Sequence, residues 1–165
     1  MATIFIGIGS SIDRENYIQQ GISLLQKHFG EVKLSSVFES EAVGFTGGNF
    51  YNLVAQLTSE LPVEQVIAKL KMLEVQLGRP EKAIKFAPRT LDLDILLYDQ
   101  LVDISLNIPR SEITENAFVL QPLAELAPEL LHPLLNESYE NLWSQYPVNK
   151  QKLWKIEMSF QRDSV

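Results

Sequence analysis

Two amphipathic helical patterns, each set between extended apolar runs, restrict this chain more than any other feature of its sequence. Thr3-Ile4-Phe5-Ile6-Gly7-Ile8 is a β-rich run ended by Gly9-Ser10-Ser11, which predicts a central strand and a tight turn. A helix is expected from about Arg14, with Asp13 as N-cap and Glu15 in its first turn. Ile18, Ile22, Leu25 and Phe29 form its apolar stripe, His28 is a favourable cation near its C-terminus, and Gly30 stops it. Strand patterns follow from Glu31 to about Glu41 and from Asn49 to Ser59, either side of the glycine-bearing Val43-Gly44-Phe45-Thr46-Gly47-Gly48. The second helix has Pro62 in its first turn and Gly78 as its stop. Val63, Val66, Ile67, Leu70, Leu73 and Leu77 make its buried stripe. Leu91 to Tyr98 reads as one more strand.

The order strand, helix, strand, strand, helix, strand predicts an α+β, ferredoxin-like βαββαβ fold. Its sheet should be mainly antiparallel and covered by helices on one face, with a C-terminal extension. In that extension, Val102 to Ile108 predicts a short extended piece. Residues 115–127 predict a helical run interrupted by Pro122, and the Leu-rich segment from Pro128 to Pro133 an irregular packed wrap. A short helix is expected from Ser138 to Tyr146 and a terminal strand from Leu153 to Phe160. No repeat or linker divides the 165 residues, so a single domain over 1–165 is expected.

A net charge of −7 argues against a general nucleic-acid binder. The absence of cysteine excludes a disulfide framework, a thiolate metal site and a Cys nucleophile. His28 and His132 lack zinc-ligand spacing. The apolar opening run is too short to span a membrane and lacks the basic flank of a signal peptide, so a cytoplasmic protein without membrane contact is expected. Nothing in the chain demands an oligomer, and a monomer is expected.

Against that acidic background, Arg79, Lys82, Lys85 and Arg89 crowd a Pro-bracketed segment with only Glu81 opposing them. The strand that follows alternates. Leu91, Leu93, Ile95 and Leu97 are expected on one face, with Asp92 and Asp94 on the other, about 6.5–7 Å apart along the strand. Two carboxylates so close repel and are costly to desolvate unless a cation lies between them. Carboxylates for Mg²⁺ beside Arg and Lys for phosphate oxygens are what transfer from a nucleoside triphosphate requires. A salt-bridged strand beside a solvated basic loop is the alternative. Glu74, at the edge of the second helix's stripe, either pairs with a cation or serves a ligand. Gly9-Ser10-Ser11 lacks the spacing of a phosphate loop and reads as a turn.

Gly78-Arg79 through Ala87-Pro88-Arg89-Thr90-Leu91-Asp92-Leu93-Asp94-Ile95 closely resembles the signature of the 6-hydroxymethyl-7,8-dihydropterin pyrophosphokinase family of folate biosynthesis. Agreement extends over nearly the full chain. It includes Gly7-Ile8-Gly9-Ser10, Phe50-Tyr51-Asn52, Ala117-Phe118-Val119-Leu120 and Pro122-Leu123-Ala124-Glu125-Leu126-Ala127-Pro128. The resemblance implies a ferredoxin-like fold and transfer of pyrophosphate from ATP to the pterin hydroxymethyl group, with release of AMP. It implies that Asp92 and Asp94 hold two Mg²⁺ ions and that Arg79 and Arg89 clamp phosphate oxygens, with Lys82 auxiliary. Phe118, Phe50 and Asn52 match the pterin pocket, as do Ser40, Val43 and Phe86. Glu74 and Ile95 match positions near the nucleotide. The segments 79–89 and 44–48 are implied to close over the bound nucleotide.

Three positions depart from the family's pattern. Pro109-Arg110-Ser111-Glu112 stands where Pro-His is usual, Asn116 where an Arg is, and Glu81 where a basic residue is common. Arg110 is expected to supply the missing cation toward the nucleotide. Other readings are a divergent pterin-binding paralogue, another Mg²⁺-dependent nucleotidyl transferase with paired Asp, and an interaction module. The last leaves Asp92, Asp94, Arg79 and Arg89 without a shared purpose.

Overall fold

A computed structural model describes residues 1–41, 49–78, 90–147 and 150–158. The elements run β1 (Ala2–Ser10), α1 (Arg14–Phe29), β2 (Lys33–Leu34), β3 (Val37–Ser40), β4 (Phe50–Ser59), α2 (Val63–Gln76) and β5 (Asp92–Tyr98). Beyond these lie α3 (Glu112–Glu115), α4 (Ala117–Leu126), α5 (Tyr139–Gln145) and β6 (Leu153–Ile156). The strand order is β5-β1-β4-β3-β6, with β2 also on β4, and every pairing is antiparallel. This is the expected βαββαβ order, extended by β6 on the β3 edge.

The extended segment 31–41 is split at Ser35–Ser36. There the Ser35 hydroxyl, not a strand carbonyl, accepts the Val54 N–H at 2.9 Å, and the Ser36 N–H turns away to Glu125 Oε1 at 2.7 Å. The pairing of β4 therefore passes from β2 to β3 with a break between them.

Helices cover both faces, not one. On the first face Ile4, Ile6 and Ile8 pack with Ile18, Ile22 and Leu25 of α1 and with Val66, Leu70 and Leu73 of α2. Gly21 lets α1 settle against Leu91, just ahead of β5, since a Cβ there would come within 2.7 Å of Leu91 Cδ2. On the second face Phe5, Val54, Leu96 and Leu97 meet Val119, Leu120 and Leu123 of α4 and Tyr139 of α5. The C-terminal extension is thus the second helical layer. An antiparallel sheet with apolar residues on both faces needs both covered.

Several local expectations change. Asp13 occupies the N-cap position with φ 43°, in the left-handed region, and its side chain makes no cap bond; it accepts from Asn16 Nδ2 at 3.0 Å instead. Pro62 sits at the N-cap of α2, one residue before its first turn. The stretch 102–108 is a 3-10 turn at Ile104–Leu106, capped by Asp103 Oδ1, with one bridge between Asp103 and Ile108. Pro122 does not interrupt its helix but lies within α4. A proline there removes one intrahelical bond, and burial of Val119, Leu120, Leu123 and Ala124 around it keeps the helix on the sheet. The terminal strand ends at Ile156; residues 159–160 of the expected run lie outside the described residues.

Candidate active site

Antiparallel registers place directly opposed residues on the same face. Gly9 lies between Asn52 of β4 and Asp92 of β5, and Gly7 lies between Val54 and Asp94. Phe38 opposes Asn52, and Ser40 opposes Phe50. One face at one end of the sheet therefore carries Ser40, Phe50, Asn52, Asp92 and Asp94. The middle strand contributes only hydrogen atoms between the amide and the two carboxylates. A Cβ on Gly9 would stand 2.9 Å from Asn52 Oδ1, and one on Gly7 3.4 Å from Leu96 Cδ2. Asn52 Nδ2 donates to Ser40 Oγ at 3.0 Å in a buried contact. Among the described residues the other amide hydrogen and Oδ1 have no hydrogen-bond partner, which suits a ring edge that needs both a donor and an acceptor.

The strand carrying the carboxylates is the sheet's outer strand, and three side-on contacts fix it. Glu74, 6% exposed, reaches across from α2 and accepts the Leu93 N–H at 2.7 Å. Ser10 Oγ donates to the Thr90 carbonyl at 2.6 Å, just before the strand begins. The Arg110 N–H donates to the Leu96 carbonyl at 3.0 Å. An edge strand's outward N–H and C=O groups need partners when covered; Glu74 and Arg110 provide two of them, while Ser10 ties the start of the strand from the β1 side. A bulge at Leu96 corrects one sequence expectation. The β1–β5 register steps between Phe5 and Ile6, so Leu97 opposes Phe5 and joins the second core, whereas Leu91, Leu93 and Ile95 stay in the first.

Among the described residues, Arg110 is a cation beside Asp94. Its Nη2 lies 3.5 Å from Asp94 Oδ1 and 3.2 Å from Glu112 Oε1. The Asp94 side chain is 40% exposed. Two carboxylates facing the same way, one of them open to solvent, fit a hard divalent cation. Mg²⁺ is commonly held by one or two carboxylates and completes its octahedron with phosphate and water oxygens. Among the described residues there is no grouping of three or more His, Asp or Glu that would make a metal cage.

Phe118, in the first turn of α4, packs half-buried against the second core, on the same side of the sheet as the carboxylates. Asn116 precedes that helix. Its side chain accepts from Gln151 Nε2 at 2.9 Å while Gln151 Oε1 accepts the Ala117 N–H at 2.7 Å.

The model of the family described as 7,8-dihydro-6-hydroxymethylpterin-pyrophosphokinase (HPPK) matches residues 5–128, which include all of this arrangement except β6 and the contact to Gln151. The chain belongs to the HPPK family. A 2-amino-4-hydroxy-6-hydroxymethyldihydropteridine pyrophosphokinase of Aquifex aeolicus is 37% identical over 138 residues, covering 81% of this chain and 86% of the relative. The Bacillus subtilis protein of the same name is 33% identical over 132 residues, covering 76% and 78%. Among solved structures, an HPPK-DHPS in complex with substrates superposes with a TM-score of 0.69 at 10% identity, covering 88% of this chain and 45% of that one. Plasmodium falciparum HPPK-DHPS with pteroate gives 0.65 at 13% identity, covering 88% and 42%. This chain spans less than half of those longer solved chains, and at such identity the likeness shows the shared fold.

The HPPK candidates divide by position. Ser40, Phe50, Asn52, Asp92, Asp94, Arg110 and Phe118 share one side of the sheet. Ile95 points to the other side, 5% exposed in the first core. Glu74 is buried at the strand's outer edge, in contact with backbone. Arg79, Lys82, Phe86, Arg89 and Val43 lie outside the described residues, as do Glu81 and the two segments implied to close. Sequence reasoning missed two groups. Gln151 on Asn116 carries no sequence signal. Nor does the cluster around Glu39, which gathers Arg14, Asn49 and Trp154 from three distant segments.

Proposed function

We infer that this HPPK family member transfers pyrophosphate from ATP to the hydroxymethyl group of 6-hydroxymethyl-7,8-dihydropterin. The observation that carries the site reading is the face on which Asn52 and the Asp92–Asp94 pair flank Gly9 and Gly7. A pterin-sized polar edge and a metal-binding pair are held one strand apart.

The hydroxymethyl oxygen attacks the β-phosphorus of ATP in line. The bond from that phosphorus to the oxygen bridging to the α-phosphate breaks, AMP departs with that oxygen, and the hydroxyl proton is lost. Asp92 and Asp94 are the residues that would hold Mg²⁺, as two ions. Bound there, the metal supplies charge neutralisation and alignment of the triphosphate. Arg79 and Arg89, with Lys82, serve as phosphate clamps, a task suited to fixed guanidinium charge. Asn52 and Ser40 read the pterin edge, Phe50 and Phe118 flank its ring, and Val43 and Phe86 complete the pocket. Glu74 serves the nucleotide side by fixing β5. Ile95 acts there only through its backbone, and Arg110 contributes a phosphate contact. The reading takes residues 1–165 as one domain acting as a monomer in the cytoplasm, without nucleic acid. Among the described residues no helix is long and apolar enough to cross a membrane.

The test is AMP release from ATP and Mg²⁺ with and without the pterin, for the native chain and Asp94→Ala. Pterin-dependent AMP that is lost in the variant is the expected result. Equal AMP from both chains would remove the metal from this strand, and pterin binding without AMP would remove the enzyme reading.

A further inference from the structure

Arg110, beside the candidate metal carboxylate Asp94, is held more firmly by its backbone than by its guanidinium. Its backbone is fixed: its N–H donates to Leu96, its carbonyl accepts the Ile113 N–H at 3.1 Å, and the next residue, Ser111, donates to Asn107 Oδ1 at 3.0 Å. Its guanidinium is held loosely by comparison. Nη2 is shared between Asp94 and Glu112, and the longer contact, 3.5 Å, is the one to Asp94. Nε is buried and has no hydrogen-bond partner among the described residues. A buried donor without an acceptor is unfavourable, and a guanidinium's planar fork is matched to phosphate oxygens. The same group therefore neutralises a carboxylate and has an unfilled donor beside it.

We propose that Arg110 is an exchangeable counter-ion: it occupies Asp94 in the free protein and transfers to a nucleotide phosphate when metal takes its place on the carboxylate. The proposal rests on the site reading above and adds a coupling to it. Metal alone must displace Arg110 from Asp94, whereas metal arriving with a nucleotide gives Arg110 a new acceptor. Binding of either ligand then favours the other, by equal factors in each direction. Glu112 tunes the exchange by drawing Arg110 away from Asp94.

The experiment titrates Mn²⁺ onto the free chain by its EPR signal, then titrates α,β-methylene-ATP in saturating Mg²⁺. The chains compared are native, Arg110→Met, Arg110→Gln, Glu112→Gln and Asp94→Asn. Removing the cation should tighten Mn²⁺ binding about two- to fivefold, the scale of a partly exposed pair, while weakening the nucleotide analogue. Glu112→Gln should weaken Mn²⁺ binding by a smaller factor. Unchanged or weaker Mn²⁺ binding in both Arg110 variants, or an unchanged analogue affinity, would overturn the exchange. Undiminished Mn²⁺ binding in Asp94→Asn would instead overturn the metal assignment itself, so the two failures are distinct. Arg110→Gln provides a second neutral side chain should Arg110→Met fold poorly.

Discussion

Glu74 Oε2 accepts the Leu93 N–H at 2.7 Å, from a helix on one side of the sheet to the one residue between the two candidate metal carboxylates. A carboxylate this buried is normally avoided. Here it meets the outward N–H of an edge strand, which has no other acceptor among the described residues. Glu74→Leu should leave that donor unsatisfied and destabilise the fold by about 1–3 kcal/mol, read by urea denaturation. AMP formation should fall by more than the unfolded fraction explains, because Asp92 and Asp94 straddle the released residue. Glu74→Gln keeps an acceptor and should recover most of both losses. A Leu variant with native stability would show that the bond does not fix the strand.

Gly9 separates Asn52 from Asp92, and a methyl there would press to 2.9 Å from Asn52 Oδ1. Gly9→Ala should displace the amide, break its bond to Ser40 and raise the KM for pterin about tenfold or more, on the scale of overpacking of about 1–3 kcal/mol. The KM for ATP should change much less. Gly7→Ala meets the flexible end of Leu96 at 3.4 Å and should be milder. Equal effects of both variants on pterin KM would argue against the amide as the pterin contact.

What the sequence disclosed was mainly what local periodicity encodes. The α1 and α2 stripes, the Asp92–Asp94 alternation and the strand order all follow from side chains within a few residues of one another. Leu97 shows where that logic stops. A one-residue bulge reverses every later side chain, and nothing in Ile95-Leu96-Leu97 marks it. Helices on both faces were also hidden, because α4's mate is the far side of the sheet and not a neighbour in sequence. The alternating Leu153–Ile156 pattern indicated a strand, but the cap of Gln151 on Asn116 comes from pairing at a distance.

Glu39 illustrates the same point and yields a pH prediction. Burial disfavours its ionised form, but hydrogen bonds and charge from Arg14, with bonds from Asn49 and Trp154, outweigh that and hold its pKa below the usual carboxylate value. A carboxyl whose folded pKa is depressed contributes stability above its unfolded pKa and loses it as pH falls through the folded value. Arg14→Ala should thus be less stable than the native chain at pH 7, with the gap narrowing as pH drops below about 4.5. It should also shift Trp154 emission, since the indole N–H donates to Glu39 at 3.3 Å. A gap that stays constant to pH 3 would assign Arg14's contribution to its stacking on Tyr51, 3.9 Å from the ring centroid.

His132 should set a second, milder acid limb. It is 6% exposed, and its Nδ1 accepts the N–H groups of Leu134 and Leu135 at 3.1 and 3.2 Å. Only the neutral ring can do so, and burial lowers the pKa. Between the folded and unfolded pKa values the unfolded chain binds the extra proton, so stability is full above about pH 6.5 and declines as pH falls. The Tm of the native chain should therefore drop from pH 7.5 to 5.5, above the range where carboxylates titrate. His132→Asn, whose Oδ1 stands in for Nδ1 as acceptor, should be less stable at pH 7.5 through lost packing but nearly flat across that window. If the variant keeps the full native slope by calorimetry, the pH dependence arises elsewhere and the Nδ1 turn is not its source.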